Sequence, residues 1–419
     1  MAGITGIGTT FNEPNYHGEL FALTPVDTPL LSMAGGLGGG KQTTATEFEW
    51  QAYDLREPEI RPRKEGDDAP NPEARVRKNV KNVVQIFHEA VGTSYTKQAT
   101  AAQLATTQTA PFNSADGLGF GNPVGNEHTW QVAQSLVQIA RDVNYSFWHA
   151  RKNVPEDNTE ARQMAGLLSV VTTNKSFAIP EVSATTATDT VTAAAHGMAN
   201  GDMVVFTDVG TATGIRLDRS YFVVSQAAGT FKVAAAAGGA PITLGTATVK
   251  YVQVSGGATT SGGGTGVSVD RINAFVQGIF DNGGLTQGDT RVLFVPSIQK
   301  TRITKAYATA YGSNSNGAIG TSAGHTVGGV AVDRITTDFG DLYIAIDRAL
   351  PKDAVAAVSM EVIDPVFLSI PGKGVLFEEE LAKTGATDKT QIYGEIGLKY
   401  GHETSHGVLR GLAAGPLAA

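Results

Sequence analysis

Between Arg56 and Lys81 the sequence carries eight basic residues, six acidic residues and four prolines, whereas charged residues make up 17% of the whole chain. Such a segment cannot bury a face of its own, and its prolines deny it a helix interior or a central strand. Any fold must therefore let it project. On either side, polar and apolar residues alternate: first from Thr44 to Leu55 (TATEFEWQAYDL), then from Arg75 through Val80, Val83, Ile86 and Val91 to Ser94. Alternation sends successive side chains to opposite faces of a strand. The pattern predicts the two arms of a long hairpin with the charged segment as its tip. Two readings of that tip stand side by side. It is a solvated loop, or it is a mobile arm whose Arg56, Arg61, Arg63, Lys64, Asp67, Asp68, Arg75 and Arg77 contact another subunit.

The forty residues before the hairpin contain Pro14, Pro25, Pro29 and a glycine run from Gly35 to Gly40 interrupted by Leu37. With little periodicity, they read as an extended arm that a neighbouring surface must order. After the hairpin, Val132, Ala133, Leu136, Ile139, Ala140, Val143 and Phe147 recur at spacings of three and four. That spacing predicts a helix from Glu127 to Lys152, with Asn126 as N-cap and Glu127 favourable to the dipole. Its length, roughly 37 Å, suits the spine of a domain.

Near Lys175 the composition turns to Ala, Thr, Gly and Val and stays so to about Gly264. The runs DMVVFTDV, SYFVVSQA, TFKVAAA and ATVKYVQV read as strands separated by turn residues, hence a small all-β insertion with a linker-like exit, SGGATTSGGGTG. Mixed α and β patterns follow: helices near Val269–Phe280 and Ile298–Ala308, and strands at RVLFVPS, VDRITTDF, LYIAIDR, Val355–Ile363 and from Gln391 onward. The expected division is an arm (1–43), a hairpin (44–99), a helix-bearing domain (100–174), an all-β insertion (175–264), a mixed domain (265–372) and returning strands (373–419). The fold class is α+β.

A chain of 419 residues is long enough for more than one unit. Its net charge of -8 argues against a protein built to grip phosphates. Without cysteine, disulfides, thiolate metal sites and a cysteine nucleophile are excluded, and stability must come from packing and association. Neither a signal peptide nor a run of ~18 apolar residues is evident, so a cytoplasmic protein is expected.

Two motifs look chemical. His402-Glu403-Thr404-Ser405-His406 matches the HExxH pattern of zinc proteases, which needs a helix to bring both histidines to one metal. Ile396, Leu398 and Tyr400 alternate into it and glycines flank it, so a strand is expected, with histidines roughly 13 Å apart on a sheet surface. Gly35 to Gln42 approaches a P-loop, but Gln42 replaces the magnesium-binding hydroxyl and a strand pattern follows. The glycines read instead as a flexible joint. No catalytic residues, metal or cofactor are expected.

The order of arm, charged hairpin, spine helix and mixed domain resembles the Hong Kong 97-type capsid fold: N-arm, E-loop, P-domain and A-domain. Local stretches are similar to one branch of tailed-phage major capsid proteins: Thr28-Pro29-Leu30-Leu31, Glu47-Phe48-Glu49-Trp50-Gln51, Asn82-Val83-Val84-Gln85-Ile86-Phe87, Arg162-Gln163-Met164-Ala165-Gly166-Leu167, Thr337-Asp338-Phe339-Gly340 and Leu381-Ala382-Lys383-Thr384-Gly385. The insertion departs from that pattern and resembles small β modules of phage virion proteins. The resemblance implies a non-enzymatic capsid subunit forming hexamers and pentamers around double-stranded DNA in a virion. It also implies a portal protein at one vertex, with scaffolding or decoration proteins as further partners, and no membrane. A tail-tube or fibre subunit is the rival reading, and a hydrolase a more distant one.

Overall fold

The computed structural model describes residues 23–53, 55–56, 58–69, 74–97, 127–157, 159–194, 196–255, 266–284, 291–312, 325–327, 330–382 and 385–414. The N-cap expected at Asn126, most of the N-arm and the glycine-rich exit of the insertion lie outside these residues. Two compact units are present.

The described part of one unit comes from residues 23–26, Phe87–Ile139 and Leu376–Tyr393. It contains most of strand Gln85–Ser94, the first half of the spine helix and the start of strand Thr387–Lys399, which pairs with Leu376–Glu380 and Gln85–Ser94. His128 on the helix ties this unit internally, its ring nitrogens lying 3.0 Å from Thr93 Oγ1 and 2.8 Å from Thr390 Oγ1.

The other unit comprises Asp27–Ile86, Ala140–Val375 and Gly394–Ala419. Its largest sheet has seven strands in the order His325–Val327, Val330–Thr337, Gly340–Ile346, Arg291–Val295, Val355–Ser359, Gly407–Arg410, Lys175–Phe177. Helices Val269–Asp281 and Ser297–Gly312 belong to the same unit. The first starts where Ser268 Oγ accepts from Arg271 N–H, and it buries Ile272, Phe275, Val276 and Ile279 against Leu293, Val295, Ile344 and Leu409. Apolar residues on one helical stripe thus meet the strands that are apolar on both faces.

Strands Val182–Ala187, Thr190–Thr192, Met203–Asp208, Ser220–Ala227, Thr230–Ala234 and Ala247–Ser255 close into a barrel. Phe206, Phe231, Tyr251 and Val249 fill its interior. Its first and last strands are antiparallel neighbours, Val182 facing Tyr251, so the chain enters and leaves at one place. A second apolar cluster lies outside the barrel core: Met203, Val205, Val252 and Val254 pack with Phe177, Ile179 and Ala414. Lys175–Phe177, which the composition shift places in the insertion, is instead the edge strand of the seven-stranded sheet, parallel to Gly407–Arg410.

The spine helix runs from Glu127 to His149, three residues short of Lys152. Ile139, Val143 and Phe147 are buried as their spacing requires, and Trp148 is buried with them. Gly166 crosses the helix end, where a Cβ would stand 2.7 Å from the Ser146 carbonyl oxygen.

The arm is not wholly extended. Pro29–Met33 forms a short helix that buries Leu30 and Leu31, too short for apolar periodicity to mark it in the sequence. Leu31 N–H donates to Asn144 Oδ1 at 3.1 Å, and Trp148 Nε1–H donates to the buried Asp347 carboxylate at 2.8 Å. The glycine run then closes on itself, with Gly39 N–H donating to the Gly35 carbonyl at 3.1 Å and Gly35 at φ +114°. It is a compact turn rather than a loose joint.

Candidate inter-subunit surface

The hairpin pairs Glu47–Tyr53 with Arg77–Val83, from Glu47 opposite Val83 to Tyr53 opposite Arg77. The returning alternation does not stay with this partner. It breaks at Val84, and Gln85–Ser94 joins Thr387–Lys399 instead. One face of the outgoing strand carries Phe48 and Trp50. Phe48 occupies the space left by Gly397, where a Cβ would lie 2.6 Å from its ring. Trp50 Nε1–H donates to the Gly401 carbonyl at 2.6 Å, and its ring meets Tyr400 edge-on at 4.9 Å. These contacts fasten the root of the hairpin.

The other face is polar. Lys81 Nζ is 2.9 Å from Glu49 and holds that carboxyl below its ordinary range, helped by Asn79 Nδ2–H at 2.7 Å. Arg77 Nη1–H donates to Gln51 Oε1 at 3.1 Å. Beyond Tyr53 the chain leaves the ladder, and every described residue from Leu55 to Ala69 is exposed.

The eight candidate residues fall into three places. Arg56 and Arg61 gather on Glu59, at 3.9 and 3.0 Å. Lys64 and Asp67 close a turn at Gly66, with Asp67 N–H donating to the Lys64 carbonyl and Arg63 Nη1–H to the Asp68 carbonyl. Arg75 and Arg77 lie on the return, Arg77 as the first strand residue. Exposed pairs of this kind are worth only about 0–1 kcal/mol each and are screened by salt.

Attention to charge alone missed four apolar side chains on the same projection. Tyr53, Leu55, Val76 and above all Ile60, which is 97% exposed, stand in solvent. Their signal in the sequence was large apolar residues inside a segment with no periodicity to bury them. Exposed apolar residues ringed by mixed charge are a composition that interfaces share, with an apolar centre and a polar rim.

The HExxH segment is neither helix nor strand. The strand ends at Lys399, and Glu403–Ser405 forms a 3-10 turn. His406 does not lie on a sheet surface. It is buried, its Nδ1 accepting from Ser359 N–H at 3.3 Å and its Nε2–H donating to the Tyr400 carbonyl at 2.8 Å. Glu403 accepts from the backbone and hydroxyls of Thr172 and Thr173. Both residues clip loops together, and Lys41, the P-loop-like lysine, pairs with Asp364 at 2.8 Å.

The sequence matches the SU10 major capsid protein family over residues 3–413. The chain belongs to that family. Its fold is the Hong Kong 97 type: the capsid asymmetric unit of cyanophage A-1(L) aligns with a TM-score of 0.52 at 11% identity, covering 97% of this chain and 98% of that one. The capsid of Myoviridae phage XM1 aligns at 0.47 and 12% identity, covering 97% and 100%. The holo-SrpI encapsulin of Synechococcus elongatus PCC 7942 aligns at 0.47 and 8%, covering 96% and 95%. No curated protein matches. The family match supports the capsid reading over the tail and hydrolase readings, and the major capsid protein is a structural component of the virion. No described helix is long and apolar enough to cross a membrane.

Proposed function

We propose that this capsid protein assembles as hexamers and pentamers into an icosahedral head around double-stranded DNA, and that the hairpin tip clamps the adjacent subunit. The observation that carries the reading is the tip itself, where Ile60, Leu55 and Val76 are exposed among exposed charged residues. The clamp residues are Arg56, Arg61, Arg63, Lys64, Asp67, Asp68, Arg75 and Arg77. An obligate contact of this kind buries roughly 2,000 Å² or more.

In this reading the segments 1–43, 44–99, 100–174, 265–372 and 373–419 act as arm, E-loop, P-domain, A-domain and returning strands. The barrel is an inserted module available to brace capsomers or receive decoration proteins. Portal protein occupies one vertex, scaffolding or decoration proteins are candidate further partners, assembly takes place in the bacterial cytoplasm, and DNA is held without sequence preference, in keeping with a net charge of -8. Negative-stain images of the purified chain test the reading: capsomers or closed shells are expected. Stable monomers at high concentration, with a protease-resistant hairpin, contradict it.

A further inference from the structure

A cavity of about 270 Å³ opens where the end of the spine helix, the edge strand Lys175–Phe177 and the barrel come together. Arg151, Lys175 and Arg410 line it with the hydroxyl residues Ser169, Thr172 and Thr207, and none of its lining residues is acidic. Two of the cations are fixed from behind. Arg151 Nη1 lies 2.5 Å from Asp208, and Arg410 is gripped by Asp353. Lys175 is different: its ammonium stands over the Phe177 ring, 5.3 Å from the centroid, and it is half-buried. Burial pushes its pKa down, Arg410, Lys250 and Arg151 repel it in the same direction, and Glu181 acts against them. His149, also on the wall, is held neutral near pH 7 by burial and adds no charge.

An ammonium withdrawn from water among other cations is unfavourable until an anion joins it. Guanidinium groups already held by carboxylates keep spare N–H donors in place, which lowers the ordering cost of binding. The volume lies below the roughly 300–1,000 Å³ of sites that enclose organic ligands, so it suits an ion with a few waters rather than a nucleotide. We propose that the cavity binds inorganic phosphate or a like tetrahedral oxyanion, with Lys175 as its charged partner. Such an ion would link the barrel to the sheet below it. The inference does not depend on the clamp reading of the hairpin.

Calorimetry with inorganic phosphate on the whole chain, at neutral pH and constant ionic strength, tests this. Saturable binding is expected, weakened at least roughly tenfold by Lys175→Gln, as befits the loss of one charge-assisted contact. Lys232→Gln, whose ammonium pairs with Asp189 on the barrel and lies outside the lining, should change affinity by less than about twofold, the scale of a screened exposed charge. Lys175→Arg keeps the charge and should keep the binding, which covers the case in which circular dichroism shows Lys175→Gln misfolded. Absence of saturable binding, equal weakening by both glutamine variants, or a folded Lys175→Arg that binds nothing overturns the site. A short DNA duplex should not compete; displacement by it would give the site to backbone phosphates and end the free-ion reading.

Discussion

Arg410 and Asp353 meet as a buried two-pronged ion pair, with Nε 2.9 Å from one carboxylate oxygen, Nη2 3.2 Å from the other, and side-chain exposures of 3% and 0%. Gly411 N–H adds a third donor to Asp353 at 3.1 Å. Removing one partner strands a buried charge, so Asp353→Ala should destabilise the unassembled subunit by about 3–5 kcal/mol. Pairing Asp353→Leu with Arg410→Met should restore much of that loss. Urea unfolding decides, and an equal loss in single and double variants would contradict the account.

Two buried histidines predict an acid-sensitive subunit. Burial pushes His406 and His149 from 6.5 down to about 4. Folded chains therefore bind fewer protons than unfolded ones between those values. The stability at stake is fully present above pH 6.5 and drains away as pH falls toward 4, by about 3 kcal/mol for each histidine. In His406→Asn the loss of urea midpoint across that window should be visibly smaller than in the parent. An unchanged slope would remove His406 from the explanation.

Charge reversal at the hairpin should separate assembly from folding. Arg61→Glu, Arg63→Glu and Lys64→Glu together should cripple shell formation while moving the melting temperature of the free subunit little, because exposed pairs contribute about 0–1 kcal/mol each. High salt should reproduce part of the defect, since screening sets in over about 8–10 Å. Normal assembly of the triple variant at low and high salt would make the tip an ordinary loop.

Ile60 offers a salt-independent companion test. Because its side chain is 97% exposed in the subunit, Ile60→Asp should leave urea unfolding within about 0.5 kcal/mol of the parent. Light scattering should nonetheless show weakened assembly at every salt concentration. Unimpaired assembly would mean that the apolar tip touches nothing.

The barrel can be excised only with the right ends. Removing 181–255 and joining the flanks should keep the helical circular-dichroism signal, but uncover Phe177, Ile179 and Ala414, which pack on Met203, Val205, Val252 and Val254. The cost should be roughly 2–5 kcal/mol, the scale of a large core truncation. Cutting 175–264 also removes the strand beside Gly407–Arg410 and should cost more. Loss of helical signal in the shorter deletion would show that the rest cannot fold without the barrel.

What could be read from the sequence followed periodicity. The spine helix, the helix at Val269–Asp281 and the buried strand Arg291–Val295 were legible because their apolar spacing reports directly which face is covered. Partner choice was not legible. The break at Val84, the short helix at Pro29–Met33 and the placement of Lys175–Phe177 depend on residues more than a hundred positions away. At the tip, charge was conspicuous and Ile60 was not, since exposure of an apolar residue is known only once everything else is packed.

The fastening of Trp50 to the Gly401 carbonyl spans 351 positions of chain. During synthesis the ribosome makes Trp50 351 residues before its anchor, and a contact that distant also closes slowly. Until residue 401 emerges, the strand bearing Trp50 has no Tyr400 ring or carbonyl to seat upon. A fragment released before residue 400 would thus carry the hairpin strand without the Tyr400 ring and Gly401 carbonyl that seat Trp50.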